Sequence, residues 1–220
     1  MNTPILGILL VLFTAALVFG SAAVVLIALL RGRRPPLLRL ALALGTWAAV
    51  YAIALVTTSL ASAPRVLDVG GTKRFCGFYI DCHTHIAVAA IERLDRIGAT
   101  DAGGVFYAVT LRVGSDAKKA RLRLVGPDLS ISDASARRFP RSPTGEAALA
   151  QARGPQRPLT DPLDPGDSYV TTVVFDVPRD ARDARLHVTD GWWADRLIEF
   201  FLVGDEDSFL HEETSFRLTP

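Results

Sequence analysis

Hydrophobic residues run without interruption at the start of the chain and fall on alternate positions later, and that change of period divides the sequence. No residue from Met1 to Leu30 is charged. The run exceeds the roughly 20 apolar residues that cross a hydrocarbon core as a helix. A second uncharged run extends from Leu40 to Leu60. The two predict transmembrane helices at about residues 4–30 and 38–61, with Pro35 and Pro36 stopping the first and turning the chain into an antiparallel second. A cleaved signal peptide fits the first run badly, because "MNTPILG" has no basic n-region. Residues 1–61 therefore read as a helical hairpin.

Beyond the hairpin, "ASAPRVLDVGGTK" has the Pro and Gly content of a linker, set at residues 62–73. The remainder, 74–220, is long enough for one domain with a core. There the apolar period becomes two. Val105, Tyr107, Val109, Leu111 and Val113 share one strand face, and so do Tyr169, Thr171, Val173, Phe175 and Val177. Further strands are expected at Thr84 to Ile91, Ala120 to Val125, Leu129 to Ser132, Ala184 to Thr189, Leu197 to Val203 and Ser215 to Leu218. One segment, Thr144 to Ala152, predicts a short helix capped by Ser142 or Thr144. Short strands between turn signals, with a single helical insertion, argue for an all-β sandwich.

Charge orients this layout. The link at 31–37 and the start of the second helix carry Arg31, Arg33, Arg34 and Arg39 and no acid. The positive-inside rule places that Arg-rich loop in the cytoplasm, and both termini with the C-terminal domain on the extracytoplasmic side. All 23 acidic residues follow Leu60, and subtracting the four loop arginines from the 24 basic residues leaves 20, a net of −3. That balance gives no electrostatic case for nucleic acid. Arginine outnumbers lysine 21 to 3, which we read as the codon bias of a GC-rich bacterial genome. The membrane helices contain no ionisable group apart from Arg39 at the cytoplasmic edge, so they read as an anchor in the lipid bilayer rather than a proton or ion path.

The segment "PLDPGDSYVTTVVFDVP", preceded by "LSISDASARRF", resembles the small immunoglobulin-like domains of unknown function in bacterial surface lipoproteins and membrane proteins. In that family a Pro-Gly turn leads into a strand ending in Phe-Asp-Val-Pro. Its hairpin is represented here by Asp133 to Arg137, without the family's glycine. The resemblance covers Val105 to Leu218 and implies an immunoglobulin-like sandwich in an extracytoplasmic setting, with no catalytic residues. The layout is also similar to subunit II of cytochrome c oxidase. The copper motif of that subunit lies near the end of its domain and includes a methionine, whereas here the cysteines come first and the only methionine is Met1.

"RFCGFYIDCHTHIAV" holds both cysteines and two of the four histidines. In an oxidising compartment, Cys76 and Cys82 suit a disulfide closing five residues, with Gly77 and Asp81 turning the chain back. Zinc or copper is the alternative. His83 and His85 share a strand face and could join Cys76 or Cys82, with His211 as a further ligand. A third reading makes Cys82 or Cys76 a nucleophile with His83 as base, although nothing supplies an oxyanion hole. His187 alternates with Leu186 and Val188 and is expected to be an exposed strand residue. "GDEDSFLHEE" is acidic but lacks EF-hand spacing, so it reads as a solvated hairpin rather than a calcium loop. Trp192 and Trp193 follow an Asp-Gly turn and suit either edge packing or contact with a partner. The sequence thus predicts a membrane-anchored, non-enzymatic binding module that needs no cofactor, engages an envelope protein and is stapled by Cys76 and Cys82.

Overall fold

The computed structural model describes residues 5–77 and 81–218, and these divide into two units. One comprises the N-terminal residues to Ala63 together with Asp195–Glu212; the other comprises Pro64–Ala194 and the residues from Glu213 onward.

In the first unit, α1 (Ile5–Leu30) and α2 (Leu37–Leu60) are both long and apolar enough to cross a membrane. α1 stops where Gly32 takes a positive φ of 63° and donates its N–H to the Leu29 carbonyl. The side chains along both helices are largely exposed. Three of their threonine hydroxyls bond to the helix backbone. Thr57 and Thr58 donate to carbonyls one turn back, and Thr14 does the same to Leu10 while accepting from Trp47 Nε1 at 2.9 Å. Local bonding removes the cost of placing a hydroxyl away from water.

The same unit contains a finding the strand pattern did not foresee. Of the residues expected as a strand at Leu197 to Val203, Leu197 to Phe201 belong to helix α4 (Trp193–Phe201) and Leu202 and Val203 follow it as a bend and turn. "LIEFFLV" is rich in strand-forming residues. Yet Trp193, Leu197, Ile198, Phe200 and Phe201 recur at helical intervals, and Asp195 in the first turn complements the helix dipole. The chain therefore has a second short helix besides the one expected.

The second unit is a two-sheet sandwich. Sheet A runs in the order β1 (Arg65–Leu67), β9 (Thr214–Arg217), β8 (Arg185–Thr189), β5 (Asp128–Ser132), β6 (Arg138–Pro140). Sheet B runs β2 (Thr72–Gly77), β3 (Asp81–Ile97), β4 (Thr100–Ser115), β7 (Ser168–Val177). All pairings are antiparallel except that of β1 with β9. Residues 62–73, read as a linker, contain β1 and the first two residues of β2. Ala120 to Val125 is not a strand; Leu122 alone bridges Leu163. The alternate residues of β4 and β7 named from the sequence point into the main core, against Leu129 and Ile131 of β5, Leu186 and Val188 of β8, and Phe216 of β9.

The opposite face of sheet B is also apolar. Phe106, Ala108 and Val174 are buried beneath α3 (Pro143–Arg153), which presents Ala148 and Leu149. Ser142 caps α3 by accepting from Gly145 N at 3.1 Å. The helix sits so close that a Cβ on Gly145 would lie 2.6 Å from Val174 Cγ1 and 3.1 Å from Phe106 Cε1. Gly145→Val is therefore expected to cost about 1–3 kcal/mol by overpacking, read as a lower denaturant midpoint with an unchanged slope.

Candidate functional site

Two polar clusters stand out on the sandwich, and the first is built on the β2–β3 hairpin. Cys76 and Cys82 are bonded as a disulfide, and the tip of their loop, residues 78–80, lies outside the described residues. Strand alternation buries Thr84, Ile86 and Val88 and leaves His83 and His85 on the other face. His83 Nδ1 lies 2.8 Å from Asp116 Oδ1, and Arg74 donates to the other oxygen of the same carboxylate. The Arg74 guanidinium, and after it His83, hold the Asp116 carboxyl below the usual range. His85 instead packs its ring on Gly114, where a Cβ would stand 2.5 Å from Nε2. Its Nδ1 is buried with no hydrogen-bond partner.

This arrangement sorts the readings of the cysteine and histidine stretch. Both sulfurs are committed to the disulfide, so neither offers a thiolate as metal ligand or nucleophile. His211 belongs to the helical unit, where its Nδ1 lies 3.1 Å from the Glu212 carbonyl. Among the described residues no three His, Cys, Asp or Glu side chains converge as a metal ion requires. The acidic stretch also separates. Glu212 donates its N–H to Ser62 in the helical unit, while Glu213 joins the sandwich.

The second cluster is one the sequence did not reveal. His187, expected to be exposed, has a side chain only 16% exposed. Its Nε2 lies 2.8 Å from Ser132 Oγ and its Nδ1 2.9 Å from Glu213 Oε2. Arg138 approaches the same Glu213 oxygen at 3.4 Å. The His187 hydrogen bond, with the positive charges of Arg138 and the buried Lys73, outweighs the effect of burial and holds Glu213 at about 2. The register explains the meeting. His187 of β8 pairs with Ser130 of β5, one alternation from Ser132, and with Ser215 of β9, two residues from Glu213. No spacing along the chain announces residues that only strand order brings together.

Serine, histidine and carboxylate in this sequence of bonds have the connectivity of a nucleophile, base and orienting acid. Acyl transfer also requires donors aimed at the developing oxyanion. The five N–H groups after Ser132 are already engaged. Asp133 N donates to Arg137 O at 3.2 Å, Ala134 N to Arg182 O at 2.8 Å and Ala136 N to Asp133 O at 2.9 Å. Ser135 N and Arg137 N both donate to Asp133 Oδ1, at 2.9 and 3.0 Å. The bonds of the cluster link β5, β8 and the residue that precedes β9.

Trp192 and Trp193, 59% and 66% exposed, stand edge to face with ring centroids 5.3 Å apart. They do not pack into the sandwich core.

No family model matches the chain, and no curated protein matches it. Solved structures similar in part include the following three. The YjhA protein of Bacillus subtilis gives 11% identity and a TM-score of 0.43, over 70% of this chain and 99% of that one. The secreted protein MPT63 of Mycobacterium tuberculosis gives 14% identity and a TM-score of 0.42, over 60% and 93%. A conserved hypothetical protein of Bacillus anthracis gives 14% identity and a TM-score of 0.36, over 54% and 91%. Likeness at this level carries no functional argument.

Proposed function

We propose that the chain is a two-pass protein of a bacterial cytoplasmic membrane that displays an immunoglobulin-like sandwich outside the cytoplasm. It acts there as a non-enzymatic binding module for an envelope protein, without a cofactor. The observation that carries the reading is the pairing of two exposed apolar helices with a sandwich stapled by a disulfide. A disulfide persists in an oxidising compartment, and arginines between the helices favour that side for the sandwich.

Trp192 and Trp193 are the partner contact in this reading, because exposed indoles supply large apolar area with a polar edge. A photoreactive phenylalanine at position 192, irradiated in intact cells, is expected to give one discrete adduct with an envelope protein. Trp193→Ala should lower its yield at least tenfold. Adducts with lipid alone, or none, overturn the assignment.

A further inference from the structure

Helix α4 is amphipathic in the reverse sense to a helix of a soluble protein. Its polar residues Asp195, Arg196 and Glu199 are the shielded ones, while Leu197, Ile198, Phe200 and Phe201 are 41–54% exposed. The chain doubles back after it, with Phe209 N donating to Phe200 O at 2.9 Å, and adds Phe209 and Leu210 to the exposed apolar set. An apolar face of this extent in water marks an interaction surface.

The contacts of the segment with α1 and α2 identify the occupant. Tyr51 donates its hydroxyl to the Phe201 carbonyl at 2.6 Å. Tyr51 lies nine residues before the end of α2, which at about 1.5 Å per residue is about 13 Å along the axis from Leu60. Gly7, two residues into α1, lies so close to Leu202 and Val203 that a Cβ there would stand 2.5 Å from the Val203 carbonyl oxygen. Ser59 and Ser208 approach to 3.4 Å, and Ser62 accepts from Glu212 N at 2.9 Å. The segment thus lies against the half of the hairpin that holds the start of α1 and the end of α2. At that level the neighbouring helix surfaces face lipid if the hairpin spans the bilayer.

We infer that residues 195–211 form a membrane-interfacial segment, with Leu197, Ile198, Phe200 and Phe201 of α4 among the acyl chains of the outer leaflet beside the hairpin. The inference rests on the membrane-spanning reading proposed above. Burial, reinforced by the charges of Asp207, Asp205 and Asp195, pushes the Glu199 carboxyl up to about 8, so α4 carries one charge fewer at neutral pH. That lowers the cost of placing it beside lipid. The segment gives the anchor a third membrane element besides its two helices.

Quenching by brominated lipid tests this in the full chain, reconstituted in phosphatidylcholine vesicles with or without dibromo-acyl chains. One variant carries Trp192→Phe and Trp193→Phe and keeps Trp47, which lies within α2. The other adds Trp47→Phe and Leu197→Trp. Both are expected to lose at least half their emission in brominated lipid. Quenching of the Trp47 variant alone, confirmed with Phe209→Trp in place of Leu197→Trp, overturns the inference while the anchor stands. That result would mean a protein or water covers α4. No quenching in either variant removes the membrane-spanning reading itself, and the inference with it.

Discussion

Glu213→Gln is expected to lower the stability of the sandwich at neutral pH by roughly 1–2 kcal/mol. The carboxyl is held at about 2 against an ordinary value of 4.5. For a group wholly shielded from solvent, that difference is equivalent to about 3 kcal/mol. The Glu213 side chain is 33% exposed, so solvent screening reduces the figure. In thermal unfolding the loss should appear as a fall in Tm of about 5 °C for a domain of this size.

The pH dependence distinguishes this from a general loss of packing. A depressed carboxyl contributes fully above its unfolded value and loses that contribution as pH falls toward its folded value. The gap between the native chain and Glu213→Gln should therefore close as pH falls from about 5 toward about 2. A gap that stays constant down to pH 2 would show that the glutamine is merely a poor fit. Ser132→Ala removes only a neutral hydrogen bond and should cost less, about 1 kcal/mol, with little pH dependence.

What the sequence made legible follows from the range of the signals. The α1–α2 hairpin and the core faces of β4 and β7 are written in local periodicity, as is the Ser142-capped helix α3. Leu197 to Val203 has strand-forming composition, and the helical spacing of α4 emerges only when Trp193 is counted with it. Phe106 and Ala108 are buried because α3 covers their face, a fact outside the strand's own pattern. The Ser132, His187 and Glu213 tie was hidden because sheet A places β8 between β5 and β9. The disulfide was legible from the other direction, since two lone cysteines in a chain read as facing an oxidising compartment have few other uses.

Orientation is the step on which the proposed function depends most, and it can be reversed by charge. Arg31, Arg33, Arg34 and Arg39 carry the only charged side chains before Arg65. Replacing all four with Gln, and adding an equal number of arginines ahead of Ile5, should retain the N-terminus in the cytoplasm and bring the sandwich in with it. Cys76 and Cys82 then serve as the reporter, because they are the only cysteines of the chain. The native chain is expected to react with a membrane-permeant maleimide only after reduction, whereas the reversed chain should take up two labels without it. The inverted sandwich also loses its staple, which in a chain-entropy account of so short a loop is worth about 2 kcal/mol, so its Tm should fall by about 4–8 °C. A disulfide that still forms completely in the variant would show that the arginines do not set the orientation. An extracytoplasmic binding role would then have to rest on the disulfide alone.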